Sequence, residues 1–332
     1  MSHDKPLHPD AVETLVRLGG RRADPPAAAR HRAWAATRNT WQRDQSRRRV
    51  RRTVGWLAAA AAVLVAVGAL FALRPATISA PAVARLDRAI GPVEMRPPGA
   101  KQWRALAEEE GLALPPGTRL RTSADSRLGL NVAQGVSVRL AGSSQLELSS
   151  DRRIRLVRGV IYVDTGPLGR AGPVQVVTDT TTFEDFGTQF EVHYMDGGIR
   201  LRVREGQVVF GQDGDRLVAR AEEQVDIDAQ GRISRRAISR SDGSWSWIEA
   251  VSPTAPTDGE PLSTLLAWVS RETGRTIHYA NDGVKAEADA TTLHGQLSGV
   301  SPLETLDAML ATTRLTYTIG EDRAIELSRR PD

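Results

Sequence analysis

The chain has 332 residues, 44 Lys+Arg against 40 Asp+Glu, and no cysteine. That length allows about two folded domains plus extras. The missing cysteines exclude a disulfide framework, thiolate metal sites and a cysteine nucleophile.

The small net charge hides a division. Residues 1–53 carry 13 basic and 5 acidic side chains, residues 74–332 carry 31 and 35, and residues 54–73 carry none. A basic head, an apolar segment and a slightly acidic body suggest two compartments rather than one nucleic-acid-binding surface.

The head reads as two short helices. Asp10 and Glu13 form an N-terminal capping pair, Val12, Leu15 and Val16 an apolar stripe, and Gly19-Gly20 a stop. After Pro25-Pro26 a second helix is expected from Ala27 to about Arg49, with Trp34 and Trp41 on one face. Two such helices bury little surface alone, so they either pair marginally or fold against a partner.

Residues 54–73 read VGWLAAAAAVLVAVGALFAL. At 1.5 Å per residue these 20 residues span about 30 Å, the thickness of bilayer hydrocarbon. One transmembrane helix is expected. Arg47, Arg48, Arg49, Arg51 and Arg52 crowd its N-terminal side, against Arg74 and Arg85 beyond it. The positive-inside rule then leaves the head in the cytoplasm and the body outside. A cleaved signal peptide, with Ala82-Val83-Ala84 as its site, would need an n-region far beyond the usual length. A buried core helix would rarely run so uninterrupted.

Residues 74–117 begin rich in Pro and Ala and read as a stalk. The domain expected over 118–249 is all-β. Alternating runs recur at 127–132, 136–140, 145–148, 154–157, 160–163, 174–178, 189–194, 199–203, 207–210 and 224–227. A sandwich, a barrel or a solenoid would each show this spacing. Trp245 and Trp247, one residue apart, are expected on one face of an extended segment, docking the β domain against the C-terminal module. Residues 250–261 are a linker by composition.

Residues 262–332 alternate helix and strand, as a small α+β domain of two strand–helix–strand halves. Leu262, Leu265, Leu266 and Val269 mark a helix face, with Gly274 as its C-cap. Strands are expected at 276–280 and 293–297. Ser301, Pro302 and Glu304 announce a second helix, with Leu303, Leu306 and Leu310 on its face. A hairpin comes last, with strands at 315–319 and 324–327. The module's strand edges are where a partner could add a strand.

Chemistry is sparse. The six histidines lack helical ligand spacing, and no Walker loop, GxGxxG or GxSxG is present. No cofactor, no metal and no turnover of a diffusible substrate are expected. The basic head could attract phosphate, but much of its charge is the topology signal. The same charge would hold it near anionic headgroups.

The blocks LNVAQGVSVRL (130–140), IRLVRGVIYV (154–163), GTQFEV (187–192) and VREGQVV (203–209), in continuous order, resemble the FecR family of transmembrane signalling regulators. LHGQLSGVSPLETLDAMLATTRLTYTI (293–319) looks like the small STN module that ends some chains of that family. The resemblance implies a β-solenoid-like periplasmic domain and a single-pass protein of the Gram-negative inner membrane. It implies three protein partners: an extracytoplasmic-function (ECF) sigma factor in the cytoplasm, the signalling domain of a TonB-dependent receptor in the periplasm, and a site-2-type membrane protease. Control of iron–siderophore uptake is the implied setting. The head departs from the family pattern, being short with only Trp34 and Trp41 in it.

Trp34 and Trp41, with Leu15, are either anchors in a sigma-factor groove or packing between the two helices. Gly187-Thr188 is either a turn glycine opening a strand or, as in some family members, a self-cleaved bond. The rival reading from another class is a membrane-tethered periplasmic scaffold whose tail only sets topology. A membrane-anchored DNA-binding head is a third.

Overall fold

The computed structural model of the chain divides into two compact units, Met1–Ile78 and Ser79–Asp332. It describes residues 81–331 except 108, 133–134, 167–172, 186, 212–215, 296 and 298, together with residues 17, 19, 24, 26–30, 32 and 34. The segment expected to cross the membrane, 54–73, lies outside the described residues. Among those described, no helix is long and apolar enough to cross a membrane. In the first unit residues 27–30, 32 and 34 are helical, with the Ala29 and Arg30 N–H groups on the Pro26 carbonyl at 2.8 and 3.2 Å.

The second unit opens with β1 (Ala84–Ile90), β2 (Val93–Arg96), β3 (Arg104–Ala105), β4 (Ala113–Leu114), β5 (Thr118–Thr122) and β6 (Arg127–Val132). It continues as β7 (Val136–Leu140), β8 (Gln145–Leu148), β9 (Arg153–Asp164), β10 (Val174–Val177), β11 (Thr182–Asp185) and β12 (Gln189–Met195). Then come β13 (Gly198–Glu205), β14 (Gln207–Gly211), β15 (Leu217–Arg220), β16 (Glu223–Ile227) and β17 (Ile233–Ala237).

These strands form two ladders. The first runs β4-β1-β6-β7-β9-β12-β13-β16-β17. The second runs β3-β2-β5-β8-β9-β10-β11-β14-β15. Beyond their first members both advance in chain order, as a solenoid does. Neighbours are nevertheless antiparallel, except β9 and β10. The result is a two-layer stack wound from hairpins.

Alternation explains the layering. Leu128, Leu130, Val138, Leu140, Ile161, Val163, Phe190, Val192, Leu201 and Val203 point inward from the first ladder. Leu120, Leu146, Leu156, Val176, Phe183 and Phe210 meet them from the second. Phe183 and Phe210 face each other across β11 and β14, their rings stacked 6.3 Å apart.

β9 belongs to both layers. Its first half pairs with β8 and β10, its second with β7 and β12. Gly159 marks the crossing, with φ +94°. A Cβ there would lie 2.2 Å from Ser144 Oγ and 2.5 Å from Ser144 Cα. Only glycine combines that backbone with that approach. The two strands expected at 154–157 and 160–163 are therefore one.

Of the stalk expected over 74–117, residues 74–80 lie outside the described residues, and from Ala84 on the expectation fails. From Ala84 the chain is already in the stack, with β1 on β6 and β2 on β5. Frequent Pro and Gly hid these short strands. They end each run without preventing pairing.

After β17, a 3-10 turn at Gly243–Trp245 leads into α1 (Ser246–Glu249). Trp245 and Trp247 thus sit on a helical turn, not on an extended segment. The C-terminal module holds α2 (Leu262–Thr273), β18 (Ile277–Tyr279), α3 (Asp282–Ala290), α4 (Pro302–Leu310), β19 (Leu315–Ile319) and β20 (Ile325–Arg329). Its sheet order is β18-β20-β19, with β18 parallel and β19 antiparallel to β20. Leu262, Leu265, Leu266 and Val269 of α2 pack with Leu306 and Leu310 of α4 in a core of the module's own. Ser301 and Glu304 form the expected capping box, and Gly274 caps α2 in the left-handed conformation.

The strand expected at 293–297 is absent. Leu293 exchanges backbone hydrogen bonds with Glu260 and Gly259, but Gly295, with φ +99°, turns the chain away. The two strand–helix–strand halves therefore give way to three helices on a three-stranded sheet. Helix α3 was not expected, and its apolar signal is faint: only Val284 and Ala288 of its nine residues are buried.

Candidate functional site

The outer face of the first ladder carries a row of polar side chains. Register aligns Arg139 of β7 with Tyr162 of β9, Tyr162 with Glu191 of β12, Glu191 with Arg202 of β13, and Arg202 with Gln224 of β16. On an open sheet these residues would meet water. All five are buried here, because the chain after β17 returns over them.

Trp245 is central to that cover. Its ring meets Tyr162 edge-on at 6.2 Å, and the Arg202 guanidinium lies 3.9 Å from its centroid. Its indole N–H donates to the Ser239 carbonyl at 2.9 Å. Trp247 is half-buried and donates to Glu191 Oε2 at 2.8 Å. Both tryptophans thus pack the α1 turn onto the β stack. Charged groups near the end of α2 join the stack to the C-terminal module.

Ion pairs of opposite sense make that junction, and Arg271 adds a longer one, Nη1 to Glu205 Oε2 of β13 at 3.8 Å. Arg139 Nη2 of the stack lies 2.7 Å from Glu272 Oε2 of α2. Arg139 Nη1 also donates to the Ile248 carbonyl at 3.1 Å, and Ser252 Oγ donates to Glu272 Oε2 at 3.0 Å. In return Arg271 of α2 forks onto Asp164 of β9, its Nε 3.1 and 3.0 Å from the two carboxylate oxygens. The Gln189 side-chain amide bridges both partners, donating to Asp164 Oδ2 at 2.9 Å and to the Arg271 carbonyl at 3.1 Å. Arg204 donates from Nη1 to the Glu272 carbonyl at 2.9 Å and from Nε to the Arg240 carbonyl at 2.6 Å. It thereby satisfies a carbonyl that the end of α2 leaves free.

Gly274 permits this approach. A Cβ there would lie 2.1 Å from the Arg240 carbonyl oxygen and 2.5 Å from Arg204 Nη2.

The charges are tuned by the pairing. Burial works to raise the Asp164 pKa, but the Arg271 charge and hydrogen bonds, with Gln189 and the Gly166 N–H, hold it below the ordinary value. Burial works to lower the Arg271 and Arg139 values, and Asp164 and Glu272 respectively carry them above the usual arginine value.

Gly187 and Thr188 lie next to this junction. Gly187 has φ +85°, and Thr188 is fully buried. The Thr188 N–H donates to Thr165 Oγ1 at 2.9 Å, and the Thr165 N–H donates back to the Thr188 carbonyl at 3.2 Å. The Thr188 hydroxyl donates to Asp185 Oδ1. Burial raises the Asp185 pKa, against the hydrogen bonds from Thr188 and Thr165. A hydroxyl on a buried carboxylate is an arrangement in which the carboxylate can take the proton.

Sequence reasoning missed Asp164, Thr165, Asp185, Arg139, Arg204, Arg271 and Glu272. Part of the signal was present. Ser137 and Arg139 alternate in β7, and Arg200, Arg202 and Arg204 alternate in β13, marking an outer polar face. Their partners lie up to 133 residues away in the chain, as for Arg139 and Glu272, and no local pattern names them.

Trp34 is described and 70% exposed. Leu15, Trp41 and the arginines Arg47, Arg48, Arg49, Arg51 and Arg52 lie outside the described residues. Among the described residues no group of three or more His, Cys, Asp or Glu could hold a metal ion.

Two crystal structures of a protein from Parabacteroides distasonis ATCC 8503, provisionally named an anti-sigma factor, align with this chain. Each is 17% identical and covers 64% of this chain and 99% of its own, with a TM-score of 0.35. No curated protein matches the chain. Residues 118–209, from β5 into β14, match the family model described as FecR protein, and that stretch holds Arg139, Asp164, Thr188 and Arg204.

Proposed function

We propose that the chain is a single-pass inner-membrane regulator of an ECF sigma factor. Its head binds the sigma factor in the cytoplasm, and its β stack and C-terminal module receive a protein signal in the periplasm. The FecR match over residues 118–209 carries this reading. The charge division along the sequence supports the topology. A TonB-dependent receptor is the source of the signal, and iron–siderophore uptake the setting. A site-2-type protease completes the release of the head. No diffusible substrate is turned over, and no cofactor takes part.

Capture of the full-length chain from membranes of its native cells tests this reading. A sigma factor should co-purify with the wild type and be lost with Trp34→Ala/Trp41→Ala, while membrane insertion stays normal. Insertion without any sigma factor would favour the tethered scaffold.

The contact between Thr188 and Asp185 favours a second property, self-cleavage at Gly187-Thr188. The Thr188 hydroxyl attacks the Gly187 carbonyl carbon, and its proton passes to Asp185. The C–N bond breaks as the Thr188 nitrogen takes a proton, leaving an ester that water hydrolyses. Purified chain should then appear as two fragments, and Thr188→Ala should remain intact. A wild type that stays full length refutes the step.

A further inference from the structure

We infer that the C-terminal module is a releasable cap, clasped by the crossed ion pairs Arg139–Glu272 and Arg271–Asp164 over the segment 187–189. The inference does not depend on what the head binds.

Three observations carry it. First, the hydrophobic cores are separate. The β stack closes one and the C-terminal module closes another, while Tyr162, Trp245 and Ile248, with Ile238 and Trp247 packed against them, form a small cluster on the stack. Separating the module from the stack therefore leaves both large cores shut. Second, the seam consists of charges and hydrogen bonds. Buried ions lose hydration, and their pairing returns roughly what that loss costs, so a charged seam holds geometry without much net adhesion. Water restores the hydration when the seam opens. Interfaces of this polar kind between domains permit relative motion by default. Third, the connection is short and must loosen with the seam, because Val251 is buried beside Gly129 of β6 and Ser252 bonds Glu272. Ile248 belongs to the cluster on the stack and Ala255 to the core of the module, and Pro253 lies between them.

The cap also meets β1, where Arg88 donates to the Gly299 carbonyl at 3.0 Å, but its charged clasp closes over one segment. The end of α2 touches Asp164 and Gln189, and these flank Thr165 and Thr188. Opening removes Arg271 from Asp164 and its carbonyl from Gln189. Water then reaches the 187–189 strand start and the Thr165–Thr188 pair. The segment is therefore exposed or sealed according to where the module sits.

Hydrogen exchange on the folded second unit within the full chain tests this. Arg271→Ala should lower amide protection at 164–166 and 187–190 about tenfold or more, while β6, β7 and the α2–α4 core keep theirs. Gly274→Ala, which pushes the module outward without removing an ion pair, should give the same local pattern. Unchanged protection at Thr188 in both variants would overturn the inference. So would a loss spread evenly over both cores, because the module would then be an inseparable part of one cooperative unit.

Discussion

The two seams of this molecule are built from opposite materials. Between the ladders, Leu156, Leu146, Ile161, Phe183 and Phe210 interdigitate with no polar group required. Between the first ladder and the C-terminal module, Arg139, Arg204 and Glu272 are as deeply buried as any leucine. An apolar seam is strong and indifferent to pairing, since its energy scales with area. A charged seam is weak in net terms and selective, since each ion tolerates only its partner. Evolution of such a seam makes sense where two parts must meet in one register and also come apart.

The largest expected effect separates the two materials. Leu156→Ala should cost about 2–5 kcal/mol of global stability, through lost transfer energy and a cavity that the stack cannot close. Glu272→Ala strands the Arg139 guanidinium, and a fixed seam would then lose about 3–5 kcal/mol. A seam that opens limits that loss, because Arg139 regains water once the module lifts. Urea titration should therefore show a smaller global shift for Glu272→Ala than for Leu156→Ala, with an added early transition at the module. A single shifted transition of full size for Glu272→Ala would make both seams equally permanent.

Acid should reach Asp164 late, after carboxylates of ordinary pKa have taken their protons. The Asp164 pKa is depressed in the folded chain, so its contribution is fully present above the unfolded value of about 3.9. That contribution falls away as pH drops through the folded value below it. Asp164→Asn should flatten this part of the stability–pH curve, as read by unfolding at stepped pH. A wild type and variant with parallel acid limbs would remove Asp164 from the clasp.

The same contrast decides what the sequence could reveal. Period-two alternation is written locally, and β6, β7 and β8 lie over the residues where alternation places them. Gly159 reads as a break but serves as a crossing, because its neighbour Ser144 is set by tertiary packing. The charged seam was opaque for a related reason. An arginine in a strand announces an outward face, and its burial depends on a helix end contributed from beyond residue 260. Gly187 and Thr188 were legible through a family motif, whereas Asp185 and Thr165 became relevant only once β9 and β11 had placed them beside Thr188.

The smallest expected effect sits inside the module, where local sequence is enough. Ser301 Oγ accepts the Glu304 N–H at 3.3 Å, and Glu304 Oε2 accepts the Ser301 N–H at 2.8 Å. Pro302 at the first helical position needs no partner for a missing N–H. Ser301→Ala removes one half of this box and should cost about 1 kcal/mol. Because the core of the module is its own, that loss should appear as faster exchange in α4 and leave β6 and β7 untouched. A matching loss in β6 and β7 would mean that the two cores unfold together, and the charged seam would then couple the module to the stack far more tightly than its ion pairs allow.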